Sequence, residues 1–126
     1  MSNPDHYKYV ESHEWVDFEN KTTARVGISD YAQHELGDIV FVNLPEVGDK
    51  VTAGEYFADV ESVKAVSDVL SPVTGTISEI NEDLLDHPDL INRDANESWF
   101  VKVINITGTS TLMDSAAYTA FTEKKE

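Results

Sequence analysis

The chain has 126 residues, 40% of them hydrophobic and 26% charged, which is the composition of one globular domain. Its 24 acidic residues against nine lysines and arginines exclude nucleic acid and anionic membrane surfaces as partners, because neutralising phosphate requires basic side chains. The absence of cysteine excludes disulfides, thiolate catalysis and thiolate metal sites.

The N-terminal residues indicate where the protein works. Met-Ser-Asn-Pro-Asp-His lacks the charged-then-apolar pattern of a signal peptide and the arginine-rich pattern of a transit peptide. No apolar run approaches the roughly 20 residues that a helix needs to cross a bilayer. We therefore expect a cytoplasmic protein of bacterial type, although a mature organellar form fits the same pattern. The acidic excess fits a soluble surface and attraction to basic partners equally well.

The first half of the chain predicts a hairpin, a short helix and an apolar strand. The helix has capping side chains at Ser29 and Asp30 and a glycine, Gly37, where a left-handed C-cap belongs. Proline cannot donate to a strand ladder, so Pro45 ends the strand that follows. The expected elements are strands at 15–18, 22–26 and 39–42, a helix at 31–36 with Ile28, Ala32 and Leu36 on its buried side, and a short strand at Val51.

The second half predicts four strands and a terminal helix. Ala58 and Val60 lie at even positions, but Ala65 and Val69 lie at odd ones. Since strand side chains alternate with period two, the chain must turn or bulge close to Lys64. The expected elements are strands at 56–63, 65–70, 76–80 and 100–106, a loop with a helical turn at 81–94, and a helix capped by Asp114, with Ala117, Tyr118 and Phe121 facing inward and Lys124 and Lys125 at its negative end.

No linker, repeat or low-complexity run divides the chain, so we predict one mainly β domain over residues 1–126. It should be a twisted β-sandwich or flattened barrel with short helices and a peripheral C-terminal helix. The predicted core contains Phe41, Val60, Val69, Ile77 and Val103.

Competing chemistries have little support in the sequence. The histidines lack the spacing that puts two imidazoles on one helix face, and we predict no metal site. Residues 81–86 are acidic but lack the central glycine and terminal glutamate of a calcium loop. No glycine-rich nucleotide-binding loop occurs, and no carboxylate pair has opposed environments. We predict no catalytic residue and a protein that is not a free-standing enzyme.

Lys64 is the most informative residue. It lies between small and β-branched apolar residues, with acidic and hydroxyl groups beyond them. Composition and spacing alone favour an edge-strand lysine that prevents sheet-to-sheet pairing. The alternative is an acceptor amine, which is protonated near neutrality but can be deprotonated and acylated by an enzyme.

Motifs around Lys64 resemble the lipoyl-attachment segment of the glycine cleavage H-protein family. They are Glu61-Ser-Val-Lys-Ala65, Ser67-Asp-Val69 and Ser71-Pro-Val-Thr-Gly75. Others stand in that family's order: Ser12-His-Glu-Trp15, Leu36-Gly-Asp-Ile-Val-Phe-Val42, Leu44-Pro-Glu-Val-Gly48, Pro88-Asp-Leu-Ile-Asn92 and Trp99-Phe-Val-Lys102. The resemblance covers about residues 7–121. It implies a lipoyl/biotinyl-type fold, with Lys64 at an exposed hairpin tip carrying lipoate in amide linkage.

The same resemblance implies a carrier that is a substrate of partner enzymes. Its arm would carry the aminomethyl group of glycine between a pyridoxal-phosphate glycine decarboxylase, a tetrahydrofolate-dependent aminomethyltransferase and dihydrolipoamide dehydrogenase. A lipoate ligase or an octanoyltransferase would modify Lys64. The loaded arm would fold into a cleft near Ser12, Glu14 and Asp68, where the two carboxylates would pair with an ammonium. These three polar residues are equally consistent with an ordinary solvent-exposed surface that has no role in binding the arm. We expect a monomer.

Two alternatives to this function stay open at this point. A biotinyl carrier also presents a hairpin lysine, but that family usually flanks it with methionines, where this chain has Val63 and Ala65. An H-like protein would instead donate lipoate to other carriers or act as an interaction module. The chain departs from the family before Trp99, where a glycine-containing turn is missing. Asn96-Glu97-Ser98 is expected to form this turn instead, because asparagine accepts left-handed dihedrals.

Overall fold

The computed structural model describes residue 4 and residues 6–124, and this part of the chain forms nine strands and four helices. The strands are β1 (Lys8–Tyr9), β2 (Glu14–Asn20), β3 (Thr23–Ile28), β4 (Ile39–Asn43), β5 (Lys50–Val51), β6 (Tyr56–Ser62), β7 (Val66–Leu70), β8 (Val73–Ile80) and β9 (Val101–Thr109). The helices are α1 (Asp30–Leu36), α2 (Asp83–Asp86), α3 (Leu90–Arg93) and α4 (Ser115–Lys124). Lys125 and the side chain of Lys124 lie outside the described residues.

The strands form two antiparallel sheets. One has the order β1-β2-β3-β9-β8-β5, and the other has the order β4-β6-β7. In the described chain each sheet has two edge strands, so the fold is an open two-sheet structure and not a closed barrel. The predicted mainly β fold with a C-terminal helix is confirmed.

One apolar core contains side chains from both sheets. Val60 and Val69 come from the three-stranded sheet, and Ile77 and Val103 come from the six-stranded sheet. Each is at most 2% exposed, which confirms four of the five core predictions. Burying a valine or isoleucine contributes roughly 1.5–3 kcal/mol relative to leaving it in water.

The core prediction for Phe41 is wrong because β4 contains a bulge. Ile39 pairs with Ser62 and Phe41 pairs with Glu61, so two steps along β4 match one step along β6. The extra residue shifts the alternation of side chains, and the strand buries Val42 instead. Phe41 is consequently 50% exposed on the outer side of the sheet.

Helix α4 packs against β1 through aromatic side chains. The Asp114 carboxylate accepts a hydrogen bond of 2.8 Å from the Ala117 N–H, which confirms the predicted cap. Tyr118 is buried and stacks on Tyr9, with ring centroids 4.2 Å apart. Phe121, three residues on, also packs into this cluster. Ala117 is exposed, so its predicted inward position is wrong: the buried stripe follows Tyr118 and Phe121.

The turn at residues 94–98 forms without a left-handed asparagine. In the described chain the non-glycine residues with positive φ are His13 and Asn105, and Asn96 is not one of them. The Ser98 hydroxyl instead reaches two main-chain carbonyl oxygens of this region, at 2.7 and 3.0 Å. Asn96-Glu97-Ser98 therefore lies in the turn as predicted, but the expected left-handed asparagine is wrong, and the Ser98 side chain stabilises the turn.

Candidate functional site

Lys64 lies at the exposed turn that joins β6 to β7. Ser62 organises this turn: its N–H donates to the Ala65 carbonyl at 2.8 Å, and its Oγ accepts from the N–H groups of Lys64 and Ala65, both at 3.1 Å. The Val63 N–H donates to the Asp38 carbonyl at 3.1 Å, which fixes the hairpin against the connection between α1 and β4. The Ser62 side chain thus stabilises a turn that contains no glycine, which explains why the sequence signal for this turn is weak.

The side chain of Lys64 lies over Gly37, at the C-terminal end of α1. A Cβ built on Gly37 would stand 3.3 Å from Lys64 Cε, and the glycine has φ +81°. Asn92 holds this position, since its Nδ2 donates to the Gly37 carbonyl at 2.9 Å and its Oδ1 accepts from the Ile39 N–H at 2.8 Å. A glycine therefore leaves room for the lysine side chain where any other residue would crowd it.

Ser29 and Gly37 cap α1 as predicted, although Gly37 has φ +81° with ψ −157° instead of the left-handed helical conformation. These caps determine where this contact occurs. The Ser29 hydroxyl accepts from the Ala32 N–H at 3.1 Å at the start of the helix. At its end the Gly37 N–H donates to the Gln33 carbonyl at 3.0 Å. Gly37 then directs the chain out of the helix toward β4, directly beneath the hairpin tip.

A cavity of about 280 Å³ lies beside the contact between Lys64 and Gly37. Leu36, one residue before Gly37, and Ser67, three residues after Lys64, both line it. Its remaining walls come from α1 and from the segment before β2; they include Tyr31, Glu35, Ser12 and His13. The cavity therefore combines apolar walls with hydroxyl and carboxylate groups.

Glu14 is buried next to this cavity and is 2% exposed. Its carboxylate accepts hydrogen bonds from the Ser12 hydroxyl and from the Leu70 N–H, the latter at 2.9 Å. Burial raises the pKa of Glu14 to about 7, although these hydrogen bonds act to lower it. Glu14 thus joins the start of β2 to the edge of β7 and holds Ser12 at the cavity wall.

Asp68 lies on the opposite side of β7 from Ser67. Ser67 pairs with the buried Val60, whereas Asp68 pairs with Asp59 on the outer side of the sheet. The alternation of β7 accordingly turns Ser67 toward the cavity and leaves Asp68 exposed. Of the three residues expected near the arm, the structure brings Ser12 to the cavity, Glu14 behind Ser12 and Asp68 to the outer side.

His13 is held in a left-handed conformation, with φ +81°, which is uncommon for a residue with a side chain. Its Nδ1 lies 2.8 Å from the Tyr118 hydroxyl oxygen, and the Ser29 hydroxyl lies 2.6 Å from the same oxygen. These contacts connect the cavity wall, the start of α1 and the helix α4. The sequence does not mark His13 as a cavity residue, because its partner Tyr118 is distant in the chain.

Tyr31, Glu35 and Ser67 also line the cavity without belonging to the predicted site. A signal for Ser67 was available, because it lies two residues before the buried Val69 and shares its side of the strand. Tyr31 and Glu35 are four residues apart on α1, so they share a helix face, but the sequence does not say what that face meets.

The residues present fit a group attached covalently to Lys64. The open space over Gly37, which a Cβ would narrow, gives the lysine side chain a route toward the cavity. In the part of the chain that the structure describes, no three histidine, aspartate or glutamate side chains are grouped to hold a metal ion. None of the described helices has the length and apolar character needed to cross a membrane.

Comparisons with known proteins agree with this arrangement. The profile of the glycine cleavage H-protein family matches residues 7–125. The glycine cleavage system H protein of Lachnoclostridium phytofermentans is 56% identical over 117 residues, which are 93% of this chain and 92% of that protein. The H protein of Treponema denticola is 57% identical over 111 residues, which are 88% and 90% of the two chains. The crystal structure of a glycine cleavage system H protein from Mycobacterium marinum matches with a TM-score of 0.89 and 37% identity, covering 96% of this chain and 99% of that one. The chain belongs to the glycine cleavage H-protein family.

Proposed function

We propose that the chain is the lipoyl carrier of glycine cleavage and that lipoate is attached to Nζ of Lys64 in amide linkage. Membership of the H-protein family supports the carrier role. The observation that carries the proposal is the position of Lys64, exposed at a hairpin tip with its side chain over Gly37 and beside a cavity. Attached lipoate supplies a disulfide that is reduced as it accepts the aminomethyl group of glycine, so the chain needs no catalytic side chain of its own.

Lys64 is well suited to acylation. Within the described residues it makes no ion pair, whereas Nζ of Lys102 lies 3.1 Å from a Glu19 carboxylate oxygen. Acylation joins Nζ to the carbonyl carbon of an activated lipoyl or octanoyl donor. The bond from that carbon to the leaving group breaks, and the amine gives up a proton. A lipoate ligase or an octanoyltransferase catalyses this reaction.

The partners follow from the carrier role. They are a pyridoxal-phosphate glycine decarboxylase, a tetrahydrofolate-dependent aminomethyltransferase and dihydrolipoamide dehydrogenase, and the carrier itself is not an enzyme. The formal net charge of −15 favours docking surfaces rich in lysine and arginine and makes the encounter rates depend on salt. The hairpin and the cavity belong to one chain, which supports a carrier that works as a monomer, and we further propose a cytoplasmic location.

The cavity is the proposed resting place of the arm. Leu36 and Tyr31 offer apolar walls to a hydrocarbon chain, and Ser12 offers a hydroxyl to a polar end group. Glu14 positions Ser12 through their hydrogen bond. Asp68 stays a proposed partner of the aminomethyl ammonium, and it would have to act from the exposed edge of β7. A sheltered arm is protected from water and from side reactions.

Substitutions at Gly37 test whether the arm crosses this residue. Gly37→Ala and the bulkier Gly37→Leu should both accept lipoate, yet a small phosphine should reduce their dithiolane several-fold faster, and faster for leucine than for alanine. Gly54→Ala and Gly54→Leu are matched controls, because Gly54 also has a positive φ, +89°, but open space around it. Equal reduction rates in the two series would show that the arm does not pass over Gly37.

Lys64→Arg tests the carrier function. Guanidinium cannot be acylated under these conditions, so the variant should keep its thermal unfolding midpoint but accept no lipoate. Purified glycine decarboxylase exchanges labelled bicarbonate into the carboxyl group of glycine when the lipoylated wild type is present. This exchange should be lost when the variant replaces the wild type. Exchange at the wild-type rate would contradict the proposed function, and unfolding of the variant would show that Lys64 is structural.

A further inference from the structure

The outer face of the three-stranded sheet carries aligned side chains, of which the carrier function above uses only Asp68. Strand pairing aligns them in two rows across β4, β6 and β7. The row nearer the hairpin tip contains Phe41, Glu61 and Val66, and the next row contains Asn43, Asp59 and Asp68. We call this set, with Val63 at the tip, the outer face.

The outer face is unusually apolar close to Lys64. Phe41 is 50% exposed, Val66 is 67% exposed and Val63 is 70% exposed. Val40, the extra residue of the β4 bulge, is also exposed beside them. Single exposed apolar residues need no explanation, but four of them around one hairpin tip and the neighbouring strand mark a candidate interaction site.

Carboxylates accompany the apolar side chains on the same face. Glu61 stands between Phe41 and Val66 in the first row, and Asp59 and Asp68 face each other in the second. Like charges directly opposite each other destabilise a sheet, and the Asn43 amide, which donates to an Asp59 carboxylate oxygen at 3.4 Å, offsets this repulsion only in part. A cationic partner would relieve that repulsion.

We propose that the outer face is the docking surface of the enzyme that acylates Lys64, and that this enzyme meets it with an apolar pocket rimmed by lysine or arginine. The proposal rests on the proposed function. The side chain of unmodified Lys64 is much shorter than the lipoylated arm. The acylating enzyme must therefore bring its active site to the hairpin tip and cover the adjoining strands. Enzymes that act on the modified arm reach its far end at a distance from the sheet.

Phe41→Ser tests the proposal, because Phe41 lies far from Lys64 in sequence and does not shape the turn. The unmodified variant should be acylated by lipoate ligase with a kcat/KM at least ten-fold lower, through a higher KM. Val47→Ser is the control, since Val47 is an apolar residue outside the face that is at least as exposed as Phe41, and it should react at the wild-type rate. Glu61→Gln should flatten the fall of kcat/KM with added salt.

The outcomes separate this proposal from the function on which it rests. Equal kcat/KM for Phe41→Ser and Val47→Ser would overturn the docking surface while leaving lipoylation of Lys64 intact. Slower exchange with glycine decarboxylase, with acylation unchanged, would assign the outer face to that enzyme and equally overturn the proposal. Failure of the wild type to accept lipoate would instead contradict the proposed function.

Discussion

Replacing Glu14 by its neutral isostere in Glu14→Gln should stabilise the protein above pH 7. Burial raises the pKa of Glu14 in the folded protein to about 7, against an ordinary value of 4.5. The folded state therefore binds this proton more tightly than the unfolded state does. The stabilisation from Glu14 is fully present below pH 4.5, and it is lost as pH rises through 7.

The magnitude follows from the two pKa values. A gap from 4.5 to about 7 corresponds to about 3 kcal/mol of stability lost across that range, at roughly 1.4 kcal/mol for each tenfold change in proton affinity. Glutamine keeps the two hydrogen bonds of the carboxylate, because its carbonyl oxygen can accept from the Leu70 N–H and its amide can donate to the Ser12 hydroxyl oxygen. The variant therefore loses the ionisation without leaving a buried polar group unpaired.

Urea unfolding between pH 5 and pH 8 measures the effect. The free energy of unfolding of Glu14→Gln minus that of the wild type should rise by about 2–3 kcal/mol between these limits. Glu35→Gln is the control, since Glu35 is exposed and its replacement removes the same formal charge. It should give a difference that hardly changes with pH. A pH-independent difference for Glu14→Gln, or destabilisation at pH 8, would refute the assignment of a buried, proton-binding carboxyl.

Two further predictions follow from the orientation of side chains in the three-stranded sheet. Phe41→Ala should lower the free energy of unfolding by less than about 1 kcal/mol, whereas Ile77→Ala should lower it by about 2–5 kcal/mol; similar losses in urea unfolding would mean that Phe41 is in the core. Asp68→Asn should accept lipoate fully but let the aminomethyl-loaded arm break down several-fold faster, measured as ammonia release without the folate enzyme. Breakdown at the wild-type rate would remove Asp68 from the arm site.

Local patterns predicted much of the fold. The change from even to odd apolar positions around Lys64 required a turn there, and β6 and β7 meet at that residue. The caps of α1 were also readable, because Ser29 and Gly37 act through groups next to them in the chain. Signals of this kind depend on neighbours within a few residues, so they can be recognised in a single sequence.

Features that depend on contacts between distant residues could not be predicted from the sequence. The orientation of Phe41 depends on a bulge that only pairing with β6 reveals. Burial of Glu14 depends on the edge of β7, 56 residues away along the chain. The cavity combines three separated segments, so Ser67 and His13 gave no joint signal. Composition around Lys64 favoured an edge-strand lysine, and only the longer motifs indicated a carrier.

Peptide mass mapping of the protein from its own cell tests the central claim most directly. We predict a lipoyl or octanoyl group on Lys64 and on none of the other six lysines of the chain. An unmodified Lys64 in the presence of a ligase and lipoate, or the same group on another lysine, would contradict it.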